Sequence, residues 1–331
     1  MVNNIENLTL SLHEYLGNYS WIFNYSNVKI MQEKHKWPSE WSDFIHHTSV
    51  LDLKQIFKSE ASNCPYFVKD FVKKRNSLLN EFETIFISDT KNPVTELGKE
   101  KEQQIIWNQL KRGMNIKKQH EVLMFGPIIE EANKSFEGLD HIVDVGSGAG
   151  HLERYLLKMT SIKQNQFVCI ESSNSHVESS IKQTRNDEEL KVATINATVK
   201  NSEDCHKDLD FQIESCSSKS ISNKSALIGL HACGDLTNSM ISWFHNSKFG
   251  LLAVVSCCYH KMTTFPVSQK LKSSVKEDLR SHFALRLACQ GWYFMFRNLF
   301  NLILNTILIC LHDLKGRIEI AALFGTYIVC I

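Results

Sequence analysis

The chain has 331 residues, enough for one large domain or two modest ones with an ample core. Its 37 Lys and Arg residues balance 36 Asp and Glu residues, so no global charge draws the molecule onto nucleic acid. Ten cysteines show no regular disulfide pattern, and the polar stretch from Met1 to Leu16 is not a signal peptide. These features predict a reducing compartment, cytoplasmic or nuclear, and leave the oligomeric state open.

Residues 1–98 are predicted to form a helical N-terminal region. Aromatic and charged residues recur there at helical spacing, and Trp37-Pro38 and Cys64-Pro65 divide the region because a residue before proline is pushed out of the helical conformation. We expect a linker near 88–98. Nothing in this region suggests chemistry.

From residue 99 to 331 the predicted elements alternate between helix and strand. Helices over about 99–110 and 117–135 lead into five apolar strands, at 142–145, 166–170, 191–195, 226–230 and 251–255. This alternation predicts an α/β fold with a doubly wound, mostly parallel, Rossmann-like sheet. The stretch 200–224 has no apolar period and is predicted to be a polar surface insertion.

The last residues, 291–331, form an atypical apolar tail. Trp292 to Leu311 imitates a membrane span, but its three asparagines share one helical face, so we expect a helix docked on the sheet and no membrane association. Two further strands are expected, over 317–324 and 326–331, with an incomplete set of final strands as an open alternative.

The segment from His141 to Gly150 carries the clearest functional signal. A short apolar strand with one acid, Asp144, runs into glycines at 146, 148 and 150, and a helical pattern opens immediately afterwards. A dinucleotide-binding turn would need its third glycine at 151, where the chain has His. The spacing matches that of class I S-adenosylmethionine-dependent methyltransferases; a turn that only packs a helix onto a sheet is the alternative.

In sheets of this kind, ligands sit beyond the carboxyl ends of the strands. Asp144 is expected to accept a hydrogen bond from the turn or from the cofactor's ammonium group. Glu171, at the end of the second strand, is expected to take the ribose hydroxyls, and Asn196, after the third, the adenine amino group. The predicted cofactor-binding residues are Asp144, Gly146, Ser147, Gly148, Gly150, Glu171 and Asn196.

The fourth and fifth strands end in His231-Ala-Cys-Gly-Asp235 and Ser256-Cys-Cys-Tyr-His260, for which three interpretations compete. In a methyl-acceptor site, Asp235 or His231 would deprotonate the nucleophile while Tyr259 stacks on a planar substrate. Zinc could bind the histidines and cysteines of both segments, although adjacent cysteines lack the usual two-residue gap. The cysteines could also be small buried apolar residues. We predict that His231, Asp235 and Tyr259 are catalytic and that no metal is bound.

Four segments occur in an order that resembles the methyltransferase-like protein 25 family, also described as ribosomal RNA adenine dimethylase domain-containing proteins: residues 117–121, 144–152, 229–236 and 257–260. The resemblance spans roughly residues 110–290. It implies a class I fold, S-adenosyl-L-methionine as cofactor, and cofactor contacts at Asp144, Gly146, Gly148 and Glu171. Similar strand-end motifs in a family of tRNA 2′-O-methyltransferases imply RNA as the methyl acceptor.

Two departures from the family pattern bear on function. Adenine-N6 enzymes carry Asn-Pro-Pro-aromatic after the fourth strand, where this chain has His231-Ala-Cys-Gly, so adenine dimethylation is not supported. Family members also continue beyond the segment that matches 288–290. A catalytically weak or inactive binding module and a protein methyltransferase are therefore the alternatives. The basic run from Lys111 to Lys118 fits RNA, although such runs are usually a solvated face.

Overall fold

The computed structural model of the chain describes residues 2–22, 37–56, 64–86, 101–185, 187–217, 219–256, 258–265, 277–288 and 327–330. They divide into two compact units. The first contains the described residues up to 86 together with those from 258 to 288, and the second contains residues 101–256 and 327–330. The predicted linker lies outside the described residues, and so does the apolar stretch from Trp292 to Leu311. Within the described part, no helix is long and apolar enough to cross a membrane.

The first unit is helical, as predicted. Its N-terminal helices are α1 (Val2–Asn18), α2 (Ser39–His47), α3 (Val50–Ile56) and α4 (Tyr66–Phe86), and a short helix spans His282–Ala288. The second and fourth helices begin directly after Pro38 and Pro65, the breaks that the sequence predicted. The Tyr15 hydroxyl donates to the Phe71 carbonyl at 3.1 Å and thereby ties α1 to α4.

The second unit is built on a six-stranded sheet in the order β3-β2-β1-β4-β5-β6. The strands are β1 (His141–Val145), β2 (Phe167–Glu171), β3 (Ala193–Asn196), β4 (Ser225–Leu230), β5 (Leu251–Val255) and β6 (Tyr327–Cys330). The first five are parallel and β6 is antiparallel to β5. The predicted doubly wound α/β sheet is therefore confirmed, and each of its five predicted strands lies within two residues of its predicted start.

Helices α5 to α10 accompany this sheet: α5 (Lys101–Leu110), α6 (Ile116–Ser135), α7 (His151–Met159), α8 (Asn174–Thr184), α9 (Glu203–Ser217) and α10 (Asp235–Asn246). Every residue of β1, β2, β4 and β5 is buried. Strands covered on both faces read as nearly continuous apolar runs, which is why these four were clear in the sequence even though Asp144 interrupts β1.

The prediction of a polar surface insertion over 200–224 is wrong, because α9 occupies most of it. Leu209 and Ile213 are buried one helical turn apart, and His206 adds a third buried position to the same stripe. Trp243 of α10 donates its indole N–H to Asp210 at 2.8 Å. A parallel connection from β3 to β4 needs a crossover, and α9 supplies it with a narrow apolar stripe.

In the tail, β6 confirms the second of the two predicted strands, whereas the first, over 317–324, lies outside the described residues. The order in which the strands are added to the sheet reverses at β1. From β1 the chain moves to β2 on one side, and β4 later pairs with β1 on the other side. The crevice at the carboxyl ends of β1 and β4 is therefore the topological switch point, the usual ligand position in such sheets.

Candidate functional site

The glycine turn follows β1 at this switch point. Gly146, Gly148 and Gly150 have φ values of +74°, +63° and +74°, which residues with a Cβ rarely adopt. The Gly146 N–H donates to the Ile170 carbonyl at 2.7 Å, so β2 fixes the start of the turn. Helix α7 then begins at His151, with its first N–H groups at the switch point. The local structure is the strand, turn and helix start that the sequence predicted.

Glu171 ends β2 and braces the glycine turn. One carboxylate oxygen accepts the Gly148 N–H at 2.8 Å, and the other accepts the Ser173 N–H at 2.8 Å. The residue is 7% exposed, and Nδ1 of His176 lies 3.7 Å from one of its oxygens. A carboxylate held by two backbone donors has a fixed orientation at the edge of the predicted ribose position.

Asp144 is the most unusual group of the site. It is 1% exposed, and within the described part of the chain its Oδ1 atom has no hydrogen-bond partner. Burial, reinforced by the negative charges of Glu153 and Glu171 and opposed by Lys118, raises the pKa of Asp144 to about 8. A buried acid without a partner is costly in a folded chain, and a cationic ligand would offset that cost.

The structure adds Glu153, which the sequence did not single out. This side chain is 1% exposed and accepts from the Ser180 hydroxyl at 3.1 Å and the Cys169 thiol at 3.4 Å. Burial raises its pKa. A Cβ on Gly150 would lie 2.1 Å from a Glu153 carboxylate oxygen, so the last glycine of the turn makes room for this acid. No local sequence signal marks Glu153, because its partners lie on β2 and α8.

His151 stands where a dinucleotide-binding turn would have glycine. Its Nδ1 atom accepts from the Arg154 guanidinium at 2.6 Å. Burial, with the positive charges of Arg154 and Lys118, lowers the pKa of His151 to about 4, so the ring is neutral at pH 7. The first turn of α7 therefore presents a neutral donor–acceptor ring beside the glycine turn.

His231 follows β4 and has a φ of +78°, a left-handed conformation that is uncommon outside glycine. Its Nε2 atom lies 2.8 Å from Oε2 of Glu121 on α6. Asp235, the first residue of α10, accepts from the Asn238 amide at 3.1 Å. Two predicted catalytic residues thus end β4 and open α10, and the structure adds Glu121 beside one of them.

Helix α6 also brings positive charge to this edge of the sheet. The Lys117 ammonium lies 3.5 Å from Glu121. The positive charge of Lys118 acts to lower the pKa values of Glu121, Asp144 and His151. Burial pushes the pKa of Glu121 upward, but the hydrogen bond and charge of His231, with the two lysines, hold it below its usual range. The sequence indicated Glu121 only through the resemblance of residues 117–121 to a family, and in the structure it contacts His231.

The remaining predicted site residues differ in how far they are described. Asn196 is exposed, pairs with Glu171 across β2 and β3, and donates its amide N–H to Asn174 at 2.8 Å. Tyr259 is buried and belongs to the first unit, so its role stays a prediction. Cys257 lies outside the described residues. Cys233 is only half-buried, so a buried apolar role is wrong for it.

Among the residues that the structure describes, no three His, Cys, Asp or Glu side chains come together as a possible metal site. A parallel α/β sheet with a glycine turn and a strand-end acid at its switch point defines a domain that binds a nucleoside-type cofactor. Residues 117–265 match the family model of a methyltransferase domain. The match supports the predicted enzyme class, an S-adenosylmethionine-dependent methyltransferase, and it covers β1 to β5 with their strand ends.

Solved methyltransferase structures show some likeness to the chain. The plantazolicin methyltransferase BpumL in complex with SAH is 11% identical, over 74% of this chain and 81% of that one, with a TM-score of 0.33. A SAM-dependent methyltransferase from Aquifex aeolicus is 13% identical, over 68% of this chain and 98% of that one, also with a TM-score of 0.33. Likeness at this level carries no inference about substrate.

Proposed function

We propose that the second unit binds S-adenosylmethionine at the β1 switch point and transfers its methyl group to RNA. The single observation that carries the proposal is the buried Oδ1 atom of Asp144, which has no hydrogen-bond partner among the residues that the structure describes. The cofactor has an ammonium group that would pair with this oxygen, so the residues present fit it. When bound, it supplies an electrophilic methyl group on a sulfonium.

Residues at the ends of the other strands would bind the ribose and the adenine of the cofactor. Glu171 would accept from the ribose hydroxyls, because both of its oxygens are already held in place by backbone N–H groups. Asn196 donates its amide N–H to Asn174, which directs its amide oxygen as the acceptor for an adenine amino group. The backbone of the turn can approach the ligand closely, because Gly146, Gly148 and Gly150 have no Cβ. Ser147 lies between two of these glycines and would contact the ligand through the same turn.

Methyl transfer further needs a group that takes a proton from the acceptor. His231 and Asp235 stand at the switch point and are the candidates in this unit, and Tyr259 stays the predicted stacking residue. Catalysis would then consist mainly of positioning and proton removal.

RNA as the acceptor is supported by the position of the basic run. Arg112 and Lys117 are exposed. The positive charge of Lys118 acts to lower the pKa values of Asp144 and His151 in the site. Positive charge therefore extends from the surface between α5 and α6 toward the glycine turn, the arrangement that a phosphate backbone requires. The resemblance to the methyltransferase-like protein 25 family points to the same acceptor.

The first experiment tests the cofactor. Isothermal titration calorimetry of the full chain with S-adenosylmethionine should show saturable binding, and Asp144→Asn should weaken it about 50-fold because a charged hydrogen bond is lost. Asp140→Asn is the matched control, since Asp140 precedes the same strand at the opposite edge and pairs with Lys219. Absence of saturable binding by the unaltered chain would overturn the proposal.

The second experiment tests the acceptor. Tritiated methyl transfer from the cofactor into total cell extract, followed by nuclease or protease digestion, should yield label that nuclease releases. Label released only by protease would make the chain a protein methyltransferase and refute the RNA acceptor. Saturable cofactor binding without transfer into either fraction would leave a binding module in place of an enzyme.

A further inference from the structure

The backbone at the end of β4 holds His231 in a strained position. Its φ of +78° brings Cβ close to the following carbonyl, a conformation that glycine adopts without cost. The N–H groups of His231 and Ala232 both donate to the Val255 carbonyl at 3.1 Å, so β5 fixes this turn. Strain that the surrounding structure enforces on a non-glycine residue is a mark of functional sites.

The contact with Glu121 determines which ring nitrogen of His231 carries the proton. Nε2 lies 2.8 Å from Oε2 of Glu121, and the two side chains are 25% and 14% exposed. An ionised carboxylate only accepts hydrogen bonds, so Nε2 must donate. In the neutral ring, Nδ1 therefore carries the lone pair.

The surroundings of Glu121 keep it ionised. Burial pushes its pKa upward, but His231, Lys117 and Lys118 together hold the pKa below its usual range. The Lys117 ammonium lies 3.5 Å from the second carboxylate oxygen of Glu121. The carboxylate is thus an acceptor for the ring at neutral pH.

The pair lies at the switch point. The register pairs Asp144 of β1 with Ile228 of β4, so His231 reaches the level of the glycine turn on the neighbouring strand. Leu236, at the start of α10, approaches within 3.5 Å of the place where a Cβ of Gly146 would be. The segment from His231 to Leu236 therefore borders the predicted cofactor position.

We propose that Glu121 and His231 form a dyad, in which Glu121 is the positioning residue and Nδ1 of His231 is the general base for the methyl acceptor. The proposal rests on the methyl transfer proposed above. In that step the acceptor's X–H bond breaks and its proton goes to Nδ1, while X bonds to the methyl carbon. The carbon–sulfur electron pair returns to sulfur, which leaves as a neutral thioether, and the imidazolium later loses its proton to solvent.

One test reads the ring directly and needs no acceptor. In protein labelled with ¹⁵N-histidine, the His231 signals are those that disappear in His231→Gln. For the neutral ring they should report a protonated Nε2 and an unprotonated Nδ1. Glu121→Gln should abolish the preference for this tautomer, because the amide can either donate or accept. An Nδ1-protonated ring in the unaltered protein would overturn the dyad.

The kinetic test uses the tritium transfer assay. Glu121→Gln should lower kcat about 100-fold, with KM for the acceptor and the calorimetric Kd for S-adenosylmethionine within about twofold of the unaltered values. Glu121→Asp should recover part of the loss. Because Glu121 acts through His231, adding Glu121→Gln to His231→Gln should cause no further loss. Glu131→Gln, on the exposed face of the same helix, is the matched control.

The outcomes separate this dyad from the function on which it rests. Transfer by the unaltered chain with an unchanged kcat in Glu121→Gln overturns the dyad and leaves the methyltransferase intact. A loss that appears equally in cofactor Kd and kcat shows a structural role for Glu121 and also overturns the dyad. Failure of the unaltered chain to bind the cofactor overturns the proposed function itself, and the dyad with it.

Discussion

The two ends of β1 treat buried polar groups in opposite ways. At the amino end, His141 is fully buried, and its two ring nitrogens lie 3.0 Å from the Ser225 hydroxyl and 2.6 Å from the Ser217 hydroxyl. At the carboxyl end, Asp144 is 1% exposed, and no described residue forms a hydrogen bond with its Oδ1 atom. Within its five residues, β1 therefore has one polar side chain whose ring nitrogens are hydrogen-bonded and one with an unpaired carboxylate oxygen.

The difference shows what each end is for. A buried polar group that the chain itself satisfies is nearly neutral for stability, whereas one left without a partner costs free energy in the absence of a ligand. The carboxyl end has two further destabilising features, the burial of the acid Glu153, which raises its pKa, and the left-handed backbone of His231. Glu137, before β1, also has a positive φ, so it is the two buried acids together with His231 that favour a binding role for the carboxyl end.

The largest effect should come from removing the ionisable group at the carboxyl end. The pKa of Asp144 is raised to about 8 in the folded chain, against about 3.9 when unfolded. Between these values the folded state holds one more proton, so stability falls as pH rises from about 4 to 8. Asp144→Asn lacks this dependence, and its stability relative to the unaltered chain should grow by about 3 kcal/mol between pH 5 and 7.5.

Urea unfolding of both proteins across this pH range measures the difference. Asp140→Asn should differ from the unaltered chain by an amount that stays constant over this range, because the Lys219 hydrogen bond lowers the pKa of Asp140 and its stabilising contribution is lost only below about pH 4. A pH-independent difference between Asp144→Asn and the unaltered chain would show that Asp144 has an ordinary pKa, and the contrast between the two ends of β1 would disappear.

Two glycines extend the comparison to the backbone. Gly138, before β1, and Gly150, after it, both have positive φ, but a Cβ on Gly138 would meet nothing within 4 Å, whereas one on Gly150 would lie 2.1 Å from Glu153. Both alanine variants should suffer backbone strain, and only Gly150→Ala should also displace a buried acid. We expect Gly150→Ala to lose about 2 kcal/mol more in urea unfolding than Gly138→Ala. Equal losses would mean that Glu153 moves aside without cost.

The sequence predicted the sheet well because its signals are local. Apolar runs of four or five residues give β2, β4 and β5, three apolar residues around Asp144 give β1, and the glycine spacing gives the turn and the start of α7. Helix α9 was missed since only Leu209 and Ile213 are apolar in its buried stripe, and the third position is His206. His206 stacks on Trp243, but a search for apolar residues at helical spacing treats every histidine as polar, so this buried position gave no signal.

The site was predicted in part, for a related reason. Glu171 is the last residue of β2, Asp144 is the last but one of β1, and His231 follows β4 directly. The topology of parallel sheets therefore indicates all three without knowledge of contacts. Glu121 and Glu153 depend on partners from distant segments, His231 for one and Cys169 for the other. No spacing within α6 or α7 marks these two acids, and only the folded chain brings them to the switch point.

The smallest effect tests whether His231 is retained at the expense of stability. Both His231→Gly and His231→Ala remove the contact with Glu121, so their comparison isolates the backbone. At a φ of +78° glycine should be more stable than alanine by about 1 kcal/mol, even though glycine gains more entropy on unfolding. Differential scanning calorimetry measures this difference as a higher Tm for the glycine variant.

A higher Tm for alanine would show that the turn relaxes when the imidazole is removed, and that the strain comes from the Glu121 contact rather than from β5. If glycine is the more stable, the backbone alone would favour glycine after β4, and the histidine must be explained by its side chain.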